Sequence, residues 1–221
     1  PPAVRMQGVV KRFPLVLAGN CITTVGAVAG TDARDAAVVW FDAHGDLNTP
    51  DTSTSGFLDG MAAATLLGWC HSAEVAAAIG GVEPVAERRL LLVGARDLDP
   101  AEHEATSSGR VRLLSPEDVA SDSTMSSALD ATTRDAEGVW LHVDLDVLDP
   151  APYAPANTFT PPGGLALYDA IRVVQEMASR GPVLGMTVSA YDPSCDPQGL
   201  LWATVVPLAA EAMGSVDVPS E

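Results

Sequence analysis

Residues 36–46 read AAVVWFDAHGD and join an apolar run to three potential metal ligands. The first six residues of this stretch are apolar or aromatic, which predicts a buried strand. Asp42, His44 and Asp46 follow at alternate positions. Because side chains at alternate positions of an extended chain point to the same side, we expect these three to face one point at the end of the strand.

A second acidic run ends another apolar stretch, residues 139–146, which read VWLHVDLD. Asp144 and Asp146 alternate in the same way, so the two runs together supply four carboxylates and one imidazole. Such a cluster repels itself unless a cation compensates it. Oxygen donors with one nitrogen favour Mn²⁺, with Mg²⁺, Zn²⁺ or Fe²⁺ as alternatives, and five ligands are many for one ion. The residues predict a two-metal site rather than two aspartate-capped turns.

Strand-like and helix-like runs alternate along the chain. Strands are predicted at 14–18, 36–41, 89–94, 111–114, 139–143 and 183–190, and helices at 23–29, 60–67, 73–79, 116–129, 165–177 and 205–213. This order is typical of a mainly parallel sheet with helices on both faces. We therefore predict an α/β fold with three layers, α/β/α. Sites in such sheets lie beyond the carboxyl ends of the strands, where the acidic runs occur.

The composition indicates a folded, acidic chain. With 47% hydrophobic residues in 221, it has enough apolar side chains for the core of one α/β domain. The net charge of -17 disfavours nucleic acid and anionic membranes as partners. Three cysteines without CxxC spacing, and the absence of a long apolar segment, favour a cytoplasmic location. Residues 1–4 lack the pattern of a signal peptide.

Two motifs resemble those of the arginase, agmatinase and formiminoglutamase group, the ureohydrolases. Residues 41–50 (FDAHGDLNTP) with 54–56 (TSG) resemble its second metal motif, and residues 142–150 (HVDLDVLDP) its later S-x-D-x-D-x-x-D-P motif. The similarity runs from about residue 15 to residue 196. It implies a three-layer α/β/α fold, a pair of Mn²⁺ ions and a homo-oligomer, either trimer or hexamer. It also implies one arginase-like domain over residues 1–221 that lacks, or does not show, the N-terminal βα units of the family.

The resemblance assigns roles to the acidic residues. Asp42 and Asp144 would bridge the two ions. His44 and Asp146 would complete one ion, and Asp46 the other. A pair of cations lowers the pKa of a shared water, so that hydroxide is available near neutral pH. We expect attack on a planar guanidinium or amidine carbon, with Asp46 passing a proton to the leaving nitrogen.

The resemblance also points to residues that bind substrate. Asn48 and Ser55 match positions that contact the amino-acid end of arginine in arginases. Both lie in a loop rich in Thr, Ser and Pro, so turn residues with no contact to substrate are an equal alternative.

Two positions depart from the family pattern near the metals. The first family motif, G-G-D-H-S, aligns with residues 18–22 (AGNCI), which places Cys21 at a histidine ligand. A thiolate ligand favours Zn²⁺ or Fe²⁺, and the alternative is a buried thiol beside a weakened or empty first site. Asp59 aligns with a proton-shuttling His. It is predicted to act in catalysis, with binding of a cationic group or a helix cap as alternatives.

A third departure lies in residues 188–193 (VSAYDP), which align with the arginase D-x-x-E-V-N-P region. The Glu that binds guanidinium aligns with Ala190. Asp192 is predicted to substitute for it, or else to form a turn before Pro193. His142 stands two residues before Asp144, and we interpret it as a strand residue or a hydrogen-bond partner of a ligand.

Taken together, the residues predict a metal-dependent hydrolase of a C–N bond in a small guanidino, amidino or formimino compound, with ordinary L-arginine not favoured. The alternative is a metal-weakened, non-catalytic member of the family with a structural or regulatory role. Cys21, Asp59 and Ala190 favour that alternative. A third hypothesis takes Cys21 as a nucleophile, for which the sequence shows no convincing base.

Overall fold

One six-stranded parallel sheet organises the part of the chain that the computed structural model describes, residues 14–31, 33, 35–80 and 83–214. Residues 1–4, on which the expectation about a signal peptide rests, lie outside the described residues. The strands are β1 (Leu15–Leu17), β2 (Ala36–Phe41), β3 (Leu90–Val93), β4 (Arg112–Leu114), β5 (Gly138–Asp144) and β6 (Val183–Ser189). Their spatial order is β1-β6-β5-β2-β3-β4, and each neighbouring pair is parallel.

Helices connect these strands. They are α1 (Thr23–Ala29), α2 (Ala62–Leu66), α3 (Ser72–Ile79), α4 (Pro100–Ser107), α5 (Pro116–Val119), α6 (Asp122–Thr133), α7 (Leu167–Arg180) and α8 (Val205–Gly214). Within the described residues, none is long and apolar enough to cross a membrane.

Strand β2 separates two apolar cores, one on each face of the sheet. Val39 and Phe41 pack into a core that includes residues of α6, α7 and α8. Val38 and Trp40 point the opposite way, into a core with residues of α1 and α2. All six residues of β2 are buried, which explains why the strand is apolar throughout rather than alternating. The predicted three-layer α/β/α fold is confirmed.

The acidic runs meet where the chain changes direction across the sheet. From β2 the chain builds β3 and β4 on one side, and then returns to place β5 on the other side. Phe41 of β2 pairs with Val143 of β5, so the next residues, Asp42 and Asp144, leave the sheet side by side. A crevice at the carboxyl ends of strands, at such a switch point, is the usual ligand site of this class of fold.

Two helix predictions were wrong. The single helix predicted at 116–129 is two helices, α5 and α6, because Ser121 caps the second one through a hydrogen bond from Thr124 N to its Oγ. Helix α4 was missed. It begins with a capping box between Asp99 and Glu102 and with Pro100 at its first position, a pattern that is visible in the sequence.

Candidate metal centre

Asp42, His44 and Asp146 form one compact group at the ends of β2 and β5. His44 Nδ1 lies 3.3 Å from Asp42 Oδ1 and 3.2 Å from Asp146 Oδ2. Backbone amides hold both carboxylates in place, since His44 N donates to Asp42 Oδ1 at 2.8 Å and Ala43 N to Asp146 Oδ1 at 3.0 Å. One donor atom of each side chain lies within 4.8 Å of the other two, close enough to share an ion.

His44 carries the positive charge that balances Asp42 and Asp146 when no metal is bound. Burial alone lowers its pKa, but hydrogen bonds to Asp146 and Asp42 outweigh burial and raise the pKa to about 11. An imidazolium therefore stands between the two carboxylates as their counter-ion. A divalent cation would replace that proton and bind the neutral ring.

Asp144 and Cys21 lie together on the neighbouring side of the centre. The Cys21 thiol donates to Asp144 Oδ2 at 3.2 Å and lies 3.2 Å from Ser189 Oγ. Asp146 N donates to Asp144 Oδ1 at 2.9 Å. Burial, followed by the negative charge of Asp144, raises the pKa of the thiol well above its ordinary value. The protonated thiol is thus the form present without a cation.

Asp46 is held in an unusual backbone conformation with one oxygen left free. Its φ is +51°, in the left-handed region that non-glycine residues rarely adopt. Its carbonyl accepts a hydrogen bond from Ala64 N, which ties the loop to α2. The side chain is buried, and no hydrogen bond to Oδ2 is found among the described residues. A buried carboxylate oxygen without a partner is costly, so this atom fits a cation.

The carboxylates of the centre suit divalent ions because their negative charges are buried and lie close together. Burial and then the charges of neighbouring carboxylates raise the pKa of Asp42, Asp46 and Asp144. Such groups either take up protons or bind a cation. The donor set of oxygens, one half-buried imidazole and one thiol therefore fits bound metal.

A cavity of about 630 Å³ opens above the centre. Its described lining includes eight carboxylates and neither Lys nor Arg. The carboxylates are those of Asp46, Asp59, Asp97, Asp99, Glu102, Asp144, Asp146 and Asp192. So many acidic side chains produce a negative potential in the cavity, which would favour a positively charged ligand.

Asn48 and Ser55 both line this cavity, and their polar groups form hydrogen bonds with other residues of the protein. Asn48 Nδ2 donates to Asp99 Oδ2 at 2.8 Å, and its Oδ1 accepts from Thr52 Oγ1 at 3.0 Å. Ser55 Oγ accepts from Phe57 N at 3.1 Å. These are the bonds expected of turn residues, while the position of both side chains in the cavity wall keeps contact with substrate available.

Asp59 lines the cavity and fastens the segment that carries Cys21. Its Oδ2 accepts from Asn20 Nδ2 and its Oδ1 from Ile22 N, both at 3.1 Å. The side chain does not cap the helical turn that begins at Asp59, the structural alternative that the sequence suggested. Asp59 instead joins the loop before α1 to the loop before α2.

Ala190 and Asp192 both line the cavity. Asp192 forms the turn predicted before Pro193, because its Oδ1 accepts from Ser194 N at 2.8 Å, and it also lines the cavity. That hydrogen bond lowers the pKa of Asp192. Ala190 has a φ of +59°, and its carbonyl accepts from Asn157 Nδ2 at 2.9 Å.

The sequence analysis missed the residues that support the ligands from behind. Glu102 is buried and accepts from Leu47 N and Asp99 N, so it holds the loop after His44. Arg96 donates to Asp146 O and to Pro161 O, which joins that ligand to the long loop after β5. The Asp-Pro-x-Glu capping box signalled Glu102. No pattern in the sequence pointed to Arg96.

Known proteins match this chain over most of its length. Residues 3–216 match the arginase family. The Bacillus subtilis arginase is 30% identical over 210 residues, 92% of this chain and 70% of that protein. An N(omega)-hydroxy-L-arginine amidinohydrolase of Streptomyces lavendulae is 34% identical over 169 residues, 76% of this chain and 56% of that protein.

Solved structures agree. The crystal structure of the Bacillus cereus arginase superposes on this chain with a TM-score of 0.82 at 30% identity. The superposition covers 92% of this chain and 71% of the Bacillus cereus chain. The match to the Brevibacillus brevis arginase, at 37% identity, spans 63% of this chain and about half, 48%, of that protein. These matches confirm the resemblance of the motifs: the chain belongs to the arginase family.

Proposed function

We propose that this chain is a metal-dependent hydrolase that cleaves a C–N bond in a small guanidino, amidino or formimino compound. The observation that carries the proposal is the meeting of Asp42, His44 and Asp146 beside Asp144 and Asp46, below an acidic cavity. Its relatives are arginases and an amidinohydrolase, which supports hydrolysis as the type of reaction.

The metals proposed are two divalent ions, with Mn²⁺ as the first expectation. Bound cations supply a water of lowered pKa and stabilise negative charge in the transition state. Asp42 belongs to both ligand groups of the described residues, which supports its role as a bridge. Asp144 lies level with it on the next strand.

The residues of the chain then have separate tasks. Asp46 has one buried carboxylate oxygen without a hydrogen-bond partner among the described residues, and we assign this side chain the transfer of a proton to the leaving nitrogen. Asp59 lines the same cavity as a second catalytic group. Asp192, with Asn48 and Ser55, is assigned to substrate binding, because a carboxylate in the wall pairs with a planar cation.

One observation favours the non-catalytic alternative. The Cys21 thiol has hydrogen-bond partners in Asp144 and Ser189 without any metal, so this side of the centre is satisfied as a protonated network. A chain that keeps that network in solution would hold fewer than two ions.

A small-molecule substrate, a homo-trimer or hexamer, a cytoplasmic location and a single domain over residues 1–221 stay predictions.

Metal analysis combined with a substrate screen tests the proposal. Full-length protein purified without chelator, before and after Mn²⁺ loading, is analysed for bound ions and then incubated with guanidino, amidino and formimino compounds. We expect close to two ions per chain and release of urea, ammonia or formamide from one class of compound. Asp144→Asn is the control, expected to lose both metal and turnover, whereas Asp149→Asn makes the same change outside the cavity. Two ions without turnover on any class, or turnover unchanged in Asp144→Asn, would contradict the proposal.

A further inference from the structure

His142 is buried, and one nitrogen of its imidazole ring has no hydrogen-bond partner among the described residues. It lies on β5, two residues before Asp144, and is fully buried. Its Nδ1 is 2.7 Å from Thr24 Oγ1, and its ring stacks on Trp40 with 3.7 Å between the ring centroids. Its Nε2 is buried and has no hydrogen-bond partner among the described residues. The ring is therefore held rigidly in place without any partner for one of its two polar atoms.

The His142 ring lies close to two other potential ligands. A nitrogen of His142, Cys21 Sγ and a carboxylate oxygen of Asp42 all lie within 4.8 Å of one another, and all three residues are buried. Since Nδ1 is engaged by Thr24, Nε2 is the atom available to this group. This is a second cluster, and it shares only Asp42 with the group formed by His44 and Asp146.

We propose that His142 Nε2 is a metal ligand, and that Cys21 Sγ, Asp42 and His142 together form one of the two ion sites. The inference deepens the proposed function and rests on the presence of a metal centre. Asp144 lies against Cys21 and is placed to complete the set. The set then holds one sulphur, one nitrogen and two carboxylates; each of these donor types binds Zn²⁺ in proteins, and four is its common number of ligands.

The chemistry of these donors makes the two sites unequal. Thiolate and imidazole are softer donors than carboxylate oxygen and favour Zn²⁺ or Fe²⁺ over Mn²⁺. The group of Asp42, His44 and Asp146 is richer in oxygen and suits Mn²⁺ better. We infer that the Cys21–His142 site takes a zinc-like ion, and that the centre accepts two different metals.

The state of the ring agrees with this role. Burial holds the pKa of His142 to about 3, so the neutral imidazole, which is the form that binds metal, is present at neutral pH. The contact with Thr24 is the usual kind of support for a ligating His, because a partner at one ring nitrogen fixes the orientation of the other.

The same geometry argues against Cys21 as a free nucleophile with His142 as its base. Burial and the charges of Asp144, Asp46 and Asp42 raise the pKa of the thiol, whereas a reactive cysteine needs an electropositive setting that lowers it. A bound cation supplies the positive charge that these residues lack.

The test compares two matched variants, His44→Asn and His142→Asn, each of which removes one imidazole from a different cluster. The protein is loaded with Zn²⁺ and the bound ions are counted. Zinc X-ray absorption on His44→Asn then reports the remaining site. We expect a sulphur at about 2.3 Å and an imidazole nitrogen at about 2.0–2.1 Å in that variant. In His142→Asn we expect zinc affinity to fall by more than the ~100-fold that loss of a supporting residue costs.

The proposal would be overturned if zinc in His44→Asn had no sulphur ligand, or had a sulphur ligand but no imidazole ligand. It would also be overturned if folded His142→Asn bound zinc with unchanged affinity. If His142→Asn does not fold, the X-ray absorption spectrum of His44→Asn still shows whether sulphur and imidazole bind the zinc. A wild-type chain that binds zinc through sulphur and nitrogen but hydrolyses nothing would refute the proposed function and leave this inference standing. A chain that binds no ion would refute both.

Discussion

The indole nitrogen of Trp40 donates a hydrogen bond of 3.1 Å to Asp42 Oδ2, and both groups are buried. Trp40 thus fixes one oxygen of the carboxylate that belongs to both ligand groups. The other oxygen of Asp42 accepts from His44 N, so the side chain is oriented from two directions before any ion binds. Such support from behind is what keeps a ligand set in its binding geometry.

Replacing Trp40 with Phe is expected to lower metal affinity by about 10- to 100-fold, because Asp42 loses the donor that orients it. The measurement is a metal titration of the apo-protein. Trp140→Phe is a close control, since Trp140 is also buried, lies on the neighbouring strand and donates to Thr187 Oγ1 at 3.1 Å rather than to a proposed ligand. Equal affinity losses in the two variants would show that general packing, and not the bond to Asp42, is responsible.

Asp59→Asn tests the assigned catalytic role. The amide keeps an oxygen that accepts from Ile22 N, so the Cys21 segment should stay in place and metal content should not change. Loss of a proton-transfer group is expected to reduce kcat by about 100-fold. Steady-state kinetics with parallel metal analysis provide the test. An unchanged kcat would mean that Asp59 only fastens the loop, and reduced metal content would point to the same conclusion.

Gly45→Ala is expected to disturb the loop that carries His44 and Asp46. An added Cβ would lie 2.8 Å from Glu102 Cδ and 3.0 Å from Leu98 Cδ2, and Glu102 cannot move without releasing Leu47 N and Asp99 N. We expect a loss of about 1–3 kcal/mol in the free energy of unfolding, as for other overpacked sites, together with weaker metal binding.

Gly26→Ala is the control for that change. Gly26 lies inside α1, and nothing stands within 4 Å of the added Cβ. The substitution should leave metal binding unchanged and stabilise the protein by up to about 1 kcal/mol, because Ala is the better helix former. Chemical denaturation of both variants, with metal titration, gives the comparison. A Gly45→Ala protein as stable as Gly26→Ala would contradict the tight contact with Glu102.

Asp192→Asn is expected to raise KM for a cationic substrate and to leave kcat nearly unchanged, because the carboxylate lies in the cavity wall and is not among the proposed ligands. The increase should shrink as salt is added, since this side chain is partly exposed to solvent. Asp149→Asn is a matched control: it too precedes a proline, and its Oδ1 accepts from Ala151 N as that of Asp192 does from Ser194 N. A change in kcat alone would contradict the binding role.

The sequence by itself determined the strands, which can be recognised from residues adjacent along the chain. The apolar runs of β2 and β5, with acidic residues at alternate positions after them, were enough to predict a parallel sheet and a metal centre at its edge, because strand periodicity and burial are local properties. The wrong prediction of one helix across residues 116–129 has a local cause as well. Ser121 offers its side chain to the backbone and starts a new helix.

Only the tertiary structure decided which distant groups meet. Cys21 and His142 are far apart in sequence, and no periodicity connects them. The sheet order and the packing of α1 bring Cys21 Sγ, His142 and Asp42 within 4.8 Å of one another. Thr24 engages Nδ1 of His142, and Nε2 has no hydrogen-bond partner in the part of the chain that the structure describes. From the sequence alone, His142 was interpreted as a strand residue or a hydrogen-bond partner of a ligand. Burial and hydrogen bonding of a side chain are set by residues from other segments, and these become neighbours only when the sheet has formed.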